Sequence, residues 1–134
     1  MIGGSCLCGA IRYQLAAPLE EMHHCHCSRC RKAHGAAFST FARTTRAGLR
    51  FRSGAEKLRH FRSSPPVRRS FCGDCGSSLF FQFDALPEAV WVAVGSMDDD
   101  PGMKAQAHIF VGSKAPWYAI EDALPQFTEY PPEE

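Results

Sequence analysis

The stretch VRRSFCGDCGSSLFFQF, Val67 to Phe83, consists of two apolar-rich runs flanking Cys72-Gly-Asp-Cys75-Gly76. Strand-forming residues enter the Cys72 turn and leave it from Ser78, which predicts a β-hairpin with a metal knuckle at its tip. Gly73 and Gly76 are expected to let the backbone turn tightly, so that peptide N–H groups point at the sulfurs and stabilise thiolates. A redox Cys-x-x-Cys would open a helix instead, and no helical pattern follows here. One knuckle supplies two ligands, so a closed tetrahedral site needs two more from elsewhere in the chain.

Seven cysteines are present, in three groups: Cys6-Leu-Cys8, Cys25-His-Cys27-Ser-Arg-Cys30 and the knuckle. Cys6 and Cys8, beside Gly9 at the lip of a first strand, are the natural complement to Cys72 and Cys75. A metal held by these four would close a loop of more than 60 residues, where a clip is most effective in theory. Cys25, Cys27 and Cys30 are then left as a trio, one donor short of a tetrahedron. Four plus three predicts two zinc ions per chain, one structural and one catalytic with an open position. His23, His24, His26 or His34 is near enough to be a fourth ligand, and water or an outside thiol is the alternative.

The trio also limits the chemistry. Zinc with three thiolates carries a net charge of about −1 and is a weaker Lewis acid than zinc held by imidazoles, which argues against hydrolysis. Sulfur is a good zinc ligand, so a thiol bound there is held in its deprotonated form and is fit to attack a small electrophile such as an aldehyde. Arg29, Arg31 and Lys32 would offset the negative charge and bind the carboxylates of a thiol tripeptide. His24 or His26 is close enough in sequence to shuttle a proton.

Bulk properties narrow the class. The 134 residues, 45% hydrophobic with 10 Phe, read as one packed domain over 1–134. No run approaches the roughly 20 apolar residues of a membrane span. The start MIGGSCLCG has neither the basic nor the apolar region of an export signal, so the expected compartment is the reducing cytoplasm. Net charge is +1, yet Arg29 to Arg69 holds 12 Lys/Arg and one acid, Glu56, whereas Ser70 onward holds 11 acids against Lys104 and Lys114. A positive field around the trio would draw in a carboxylate-bearing small molecule. The acidic second half argues against a nucleic-acid partner. Two non-enzymatic readings stand beside the enzyme: a zinc-stabilised binding module using the basic 43–69 segment, and a thiol or metal sensor built on the trio.

The coarse pattern is mainly β. Strands are predicted at 10–15, 37–42, 49–51, 58–61, 67–71, 78–83, 90–94 and 107–111. Helix is limited to a turn or two at 28–33 and a short piece at 120–124 before Pro125. Residues 64–66 and 98–102 read as loops. His108 and Trp117 are assigned structural places.

GxCxCGxxxY from Gly4 to Tyr13, CHCSxCRKxxG from Cys25 to Gly35, FCxxCGxxL from Phe71 to Leu79 and HIFVxSKAPW from His108 to Trp117 occur in order. This arrangement resembles the glutathione-dependent formaldehyde-activating enzyme family, to which centromere protein V is related. The resemblance implies a small zinc-clipped β-tent of short antiparallel sheets with little helix. It implies structural zinc at Cys6, Cys8, Cys72 and Cys75, and catalytic zinc at Cys25, Cys27 and Cys30. It also implies a carbon–sulfur lyase or synthase reaction joining glutathione to formaldehyde.

Overall fold

The computed structural model describes residues 1–132. In chain order the elements are β1 (Ile2–Ser5), β2 (Arg12–Leu15), β3 (Glu21–Cys25), α1 (Ser28–His34), β4 (Ser39–Thr45) and β5 (Leu49–Ser53). They continue with β6 (Leu58–Ser64), β7 (Val67–Cys72), β8 (Ser78–Phe83), β9 (Ala89–Ala93) and β10 (Ala107–Ile109). Short 3-10 turns join several of them. The protein is mainly β, as its sequence predicts.

The strands form two sheets, a small one ordered β1-β2-β5 and a large one ordered β10-β3-β4-β9-β8-β7-β6. Every pairing is antiparallel except that of β10 with β3, which is parallel, Ala107 opposite His23 and Ile109 opposite Cys25. Two adjacent rows run across the large sheet. Met22, Ala42, Val92 and Phe80 lie in one, and Glu21, Arg43, Trp91 and Phe81 in the next. Side chains alternate faces along a strand, so the rows point to opposite sides.

The first row faces the small sheet and builds the main core with Ile11, Tyr13, Leu15, Leu79 and Val90, all fully or almost fully buried. Tyr13 meets Phe80 edge-on at 5.2 Å and places its hydroxyl 2.6 Å from Ser96 Oγ. Each such buried side chain stabilises the fold by about 1.5–3 kcal/mol. Gly4 pairs with Tyr13 because only a bare Cα leaves room for the ring; an added Cβ would stand 2.1 Å from Tyr13 Cζ. The acidic 98–102 loop fastens β1: Asp99 accepts from the Gly3 amide at 2.7 Å, and Asp98 accepts from the Ser5 hydroxyl.

Two strands carry no alternation signal. Ile-Gly-Gly-Ser has poor strand propensity and Glu-Met-His-His is mostly polar, yet both pair because neighbouring strands supply partners. The helix expected at 120–124 is absent: this stretch is irregular. Asp122 there accepts from the Leu124 amide and from His108, holding the chain open across β10. Trp117 is 70% exposed, so the structural place assigned to it fails, whereas His108 is buried within the fold.

Gly54 carries the chain from the small sheet to the large one with φ +76, and a Cβ there would lie 2.1 Å from the Ala10 carbonyl oxygen. Gly54→Ala combines a left-handed backbone with a backbone clash, so a loss of at least ~2 kcal/mol is expected. A lower urea midpoint with an unchanged m-value would record it; an unshifted midpoint would contradict this account.

Candidate functional site

Two groups of sulfurs converge. Cys6 and Cys8 follow β1, Cys72 ends β7, and Cys75 lies in the turn before β8; all four Sγ atoms lie within 4.8 Å of one another. Cys6 to Cys8 is 3.6 Å and Cys8 to Cys72 is 3.9 Å. A tetrahedron with zinc–sulfur bonds of about 2.3 Å has sulfur–sulfur edges of ~3.8 Å, so the four fit zinc in number, type and spacing.

The local backbone works differently from the sequence expectation. The Gly73 N–H goes to the Lys57 carbonyl at 2.8 Å and the Gly76 N–H to the Cys72 carbonyl at 2.8 Å, not to sulfur. Gly73 is required by the close pass of β6, since a Cβ would lie 2.9 Å from the Lys57 oxygen; Gly76 is required by its φ of +80. Sulfur receives its donors elsewhere. Ile11 N–H donates to Cys6 at 3.3 Å. The Ser77 hydroxyl, then the backbone amides of Cys8 and Ser77, pull the Cys75 thiol down to about 5.

Cys25, Cys27 and Cys30 form the second group, again within 4.8 Å of one another. Cys25 ends β3. Cys27 caps α1, its sulfur accepting from the Cys30 amide at 3.3 Å, and Gly35 closes the helix with φ 59. The helix N-terminus therefore faces the thiolates, with Arg31, Lys32 and His34 at its other end. Cys30 is drawn down to about 2 by the thiols of Cys25 and Cys27 and by Arg69, whose Nη2 lies 3.5 Å away. Cys25 is driven up by Cys27 and Cys30. A divalent metal is the group that would let all three ionise together. Among the described residues no histidine nitrogen joins these three sulfurs.

The trio lines an open groove of 820 Å³ whose other walls mix aromatic, aliphatic and charged side chains. Arg29, Arg43 and Arg69 reach into it; Arg31 and Lys32, expected to bind carboxylates, are not among its lining residues. Of the histidines named in the sequence analysis, only His23 lines it. His24 sits with Nδ1 2.7 Å from Thr40 Oγ1 and its ring against Phe38. His26 is fully buried with Nε2 2.7 Å from His108 Nδ1, and His108 Nε2 meets Asp122 at 2.9 Å. If His108 donates to the carboxylate, its Nδ1 must accept from His26, which leaves His26 Nδ1 as the bare buried acceptor. His24 and His26, one of which was expected to shuttle a proton, each have one ring nitrogen held by a protein group, and neither lines the groove. Asp122 gave no signal in the sequence beyond lying within the short helix expected at 120–124.

The profile of the family described as glutathione-dependent formaldehyde-activating enzyme matches residues 1–113. The chain belongs to that family. An uncharacterized lyase of Schizosaccharomyces pombe is 24% identical over 125 residues, 93% of this chain and 89% of its own. A Sordaria macrospora protein provisionally named a glutathione-dependent formaldehyde-activating enzyme is 33% identical over 72 residues, 54% of this chain but only 30% of that one. The crystal structure of a Rhodobacter sphaeroides protein matches with a TM-score of 0.60 and 27% identity, over 76% of this chain and 90% of that one. All seven cysteines fall within the segment that defines the family. No helix among the described residues is long and apolar enough to cross a membrane.

Burial, then the positive groups around it, His108 first, hold His26 down to about 4. Unfolded, the same ring titrates near 6.5. Between those values the unfolded chain binds the extra proton, so this residue makes stability fall as pH drops from about 6.5 towards 4. In excess zinc, the urea midpoint of the unaltered chain should decline more steeply over that window than that of His26→Gln. Parallel slopes would refute the assignment.

Proposed function

We propose that the protein is a zinc-dependent carbon–sulfur lyase or synthase that joins a low-molecular-weight thiol, glutathione, to formaldehyde or a related small electrophile. The observation that carries this reading is the three-sulfur set in the wall of a solvent-open groove, in a chain that elsewhere completes a four-sulfur set from its own residues. In this reading Cys6, Cys8, Cys72 and Cys75 hold a structural zinc, and Cys25, Cys27 and Cys30 a second, catalytic one. Family membership and the lyase name of the S. pombe relative support the reaction class.

A zinc ion at the trio would supply a Lewis acid that favours the ionised form of an incoming thiol. The chain's own residues do the rest. Arg29 and Arg69 place positive charge at the groove, where a carboxylate-bearing thiol is attracted and oriented. The N-terminus of α1 stabilises negative charge at Cys27. In the addition, a sulfur–carbon bond forms as the carbonyl π bond breaks, and the thiol proton ends on the new hydroxyl oxygen; lysis is the reverse. No oxidant or reductant is needed. His23, alone of the candidate histidines, lines the groove beside Cys25 and is positioned to exchange that proton.

The two cysteine sets should separate by mutation. Structural zinc contributes about 10–16 kcal/mol of apparent binding free energy in small domains, comparable to or above a whole domain's stability. Cys72→Ser is therefore expected to yield a largely unfolded chain by circular dichroism. Cys27→Ser should stay folded, bind one zinc in place of two by elemental analysis, and lose at least about 100-fold in adduct formation from glutathione and formaldehyde. A Cys27→Ser protein that retains full turnover removes the three-sulfur site from the reaction, and an unaltered, zinc-loaded protein that forms no adduct removes the enzymatic reading.

A further inference from the structure

Family membership does not account for the wall of the groove. Glu21, Arg43, Trp91, Phe81 and Arg69 are register partners across five neighbouring strands and so form one row on the face that carries Cys25. Trp91 and Phe81 stack at 5.0 Å with an interplanar angle of 8°. The Arg43 guanidinium lies 5.2 Å over the outer face of that pair, on Trp91, and the Arg69 guanidinium 5.6 Å from the Phe81 centroid. Phe83 meets both rings edge-on, and Phe41 abuts Phe81 at 4.6 Å while packing with Cys25 and Cys30. The result is a fixed apolar ridge leading away from the sulfurs. The Phe81 and Trp91 faces are taken up by each other and by guanidiniums, so the edges of that pair and the Phe83 ring are what remain for a guest. Aromatic edges carry partial positive charge and favour the face of another ring.

Charge adds a second constraint. Arg29 Nε donates to the Ser63 carbonyl at 3.0 Å, and Arg69 Nε donates to the Ser63 hydroxyl at 2.9 Å. Among the described residues neither has a carboxylate partner, whereas Arg43 has Glu20 at 3.1 Å. Two oriented cations thus stand beside the sulfurs with donors left for an anion. The 820 Å³ of the groove lies in the roughly 300–1,000 Å³ range of sites for drug-sized molecules. A thiol tripeptide takes up space but is polar, and formaldehyde contributes a single carbon. Neither fills an aromatic ridge.

Building on the function proposed above, we infer that the adduct handled at the three-sulfur site carries a flat aromatic group on the carbon bonded to sulfur, seated on the Phe81–Trp91–Phe83 ridge, with a carboxylate at Arg29 and Arg69. The electrophile is then an aromatic aldehyde. Its addition follows the same balance: the thiol sulfur bonds to the aldehyde carbon, the carbonyl π bond breaks, and the thiol proton moves to the oxygen to give a thiohemiacetal.

Stable thioethers test this on the zinc-loaded protein without turnover. S-benzylglutathione is compared with S-methylglutathione, and (benzylthio)acetate with (methylthio)acetate, by calorimetric titration. The benzyl member of at least one pair should bind about tenfold tighter, the second pair showing whether the tripeptide is needed. Trp91→Leu and Phe83→Leu, checked for folding by circular dichroism, should cut that preference to about twofold or less and leave methyl-thioether affinity within about twofold. Arg69→Gln should weaken both members of a pair alike. Equal affinities for benzyl and methyl in both pairs, or a preference that survives in a folded Trp91→Leu protein, would overturn the inference. The outcomes also separate the two proposals. Benzyl preference with no adduct formed from glutathione and any aldehyde sinks the enzymatic reading and the aldehyde with it, leaving the aromatic seat; turnover of formaldehyde with no benzyl preference sinks this inference alone.

Discussion

Two turns far apart in sequence meet through sulfur. The one after β1 brings Cys6 and Cys8, the one between β7 and β8 brings Cys72 and Cys75, and the Leu7 amide donates to the Ser77 hydroxyl at 2.9 Å between them. Four thiolates gathered this closely repel one another unless a cation is shared among them. With the zinc proposed above in place, the junction would couple folding to metal supply, and it would fix the small sheet against β7 and β8 at the same point. Tyr13, Leu15 and Phe80 can then interdigitate between sheets whose spacing is already set.

Given that spacing, the large sheet has two different sides. One row, through Met22, Ala42, Val92 and Phe80, is spent on the core; the next, through Glu21, Arg43, Trp91, Phe81 and Arg69, looks into the groove. Because the period of a strand is two residues, a register slip of one on β9 would bury Trp91 and expose Val92. The site is thus a product of the same register that builds the core. Cys25 shares in this, since it ends β3 on the groove side, and α1 follows at once to aim Cys27 and Cys30 back at it.

The two cysteine sets were legible because their signal is local: cysteines two or three apart converge on one point whatever surrounds them. The partition into four and three needed only ligand arithmetic, and the structure gathers the same two sets. The strand from Ser78 to Phe83 was legible for a related reason, an apolar run bounded by turn residues. The polar strand Glu21–Cys25 was not, because its pairing is imposed by β4 and β10. The aromatic ridge was invisible for a deeper reason. Phe81 and Trp91 are ten positions apart, and Arg43 and Arg69 further still, so only register brings them together. Asp122 likewise takes its meaning from His108, and Arg31 and Lys32 misled because nearness in sequence to the cysteines is not nearness to the groove.

The parallel seating of β10 beside β3 sets an order of events during synthesis. Cys25, Cys27 and Cys30 leave the ribosome about 80 residues before Ile109 and Phe110, which wall the same groove. At about 5–20 residues per second that is an interval of roughly 4–16 s. For that time the nascent chain holds three clustered thiols with one wall of their enclosure not yet made. If the trio holds the zinc proposed above, metal delivery and oxidation would compete for the same sulfurs in that interval, and the yield of loaded protein would depend on which reaches the emerging chain first.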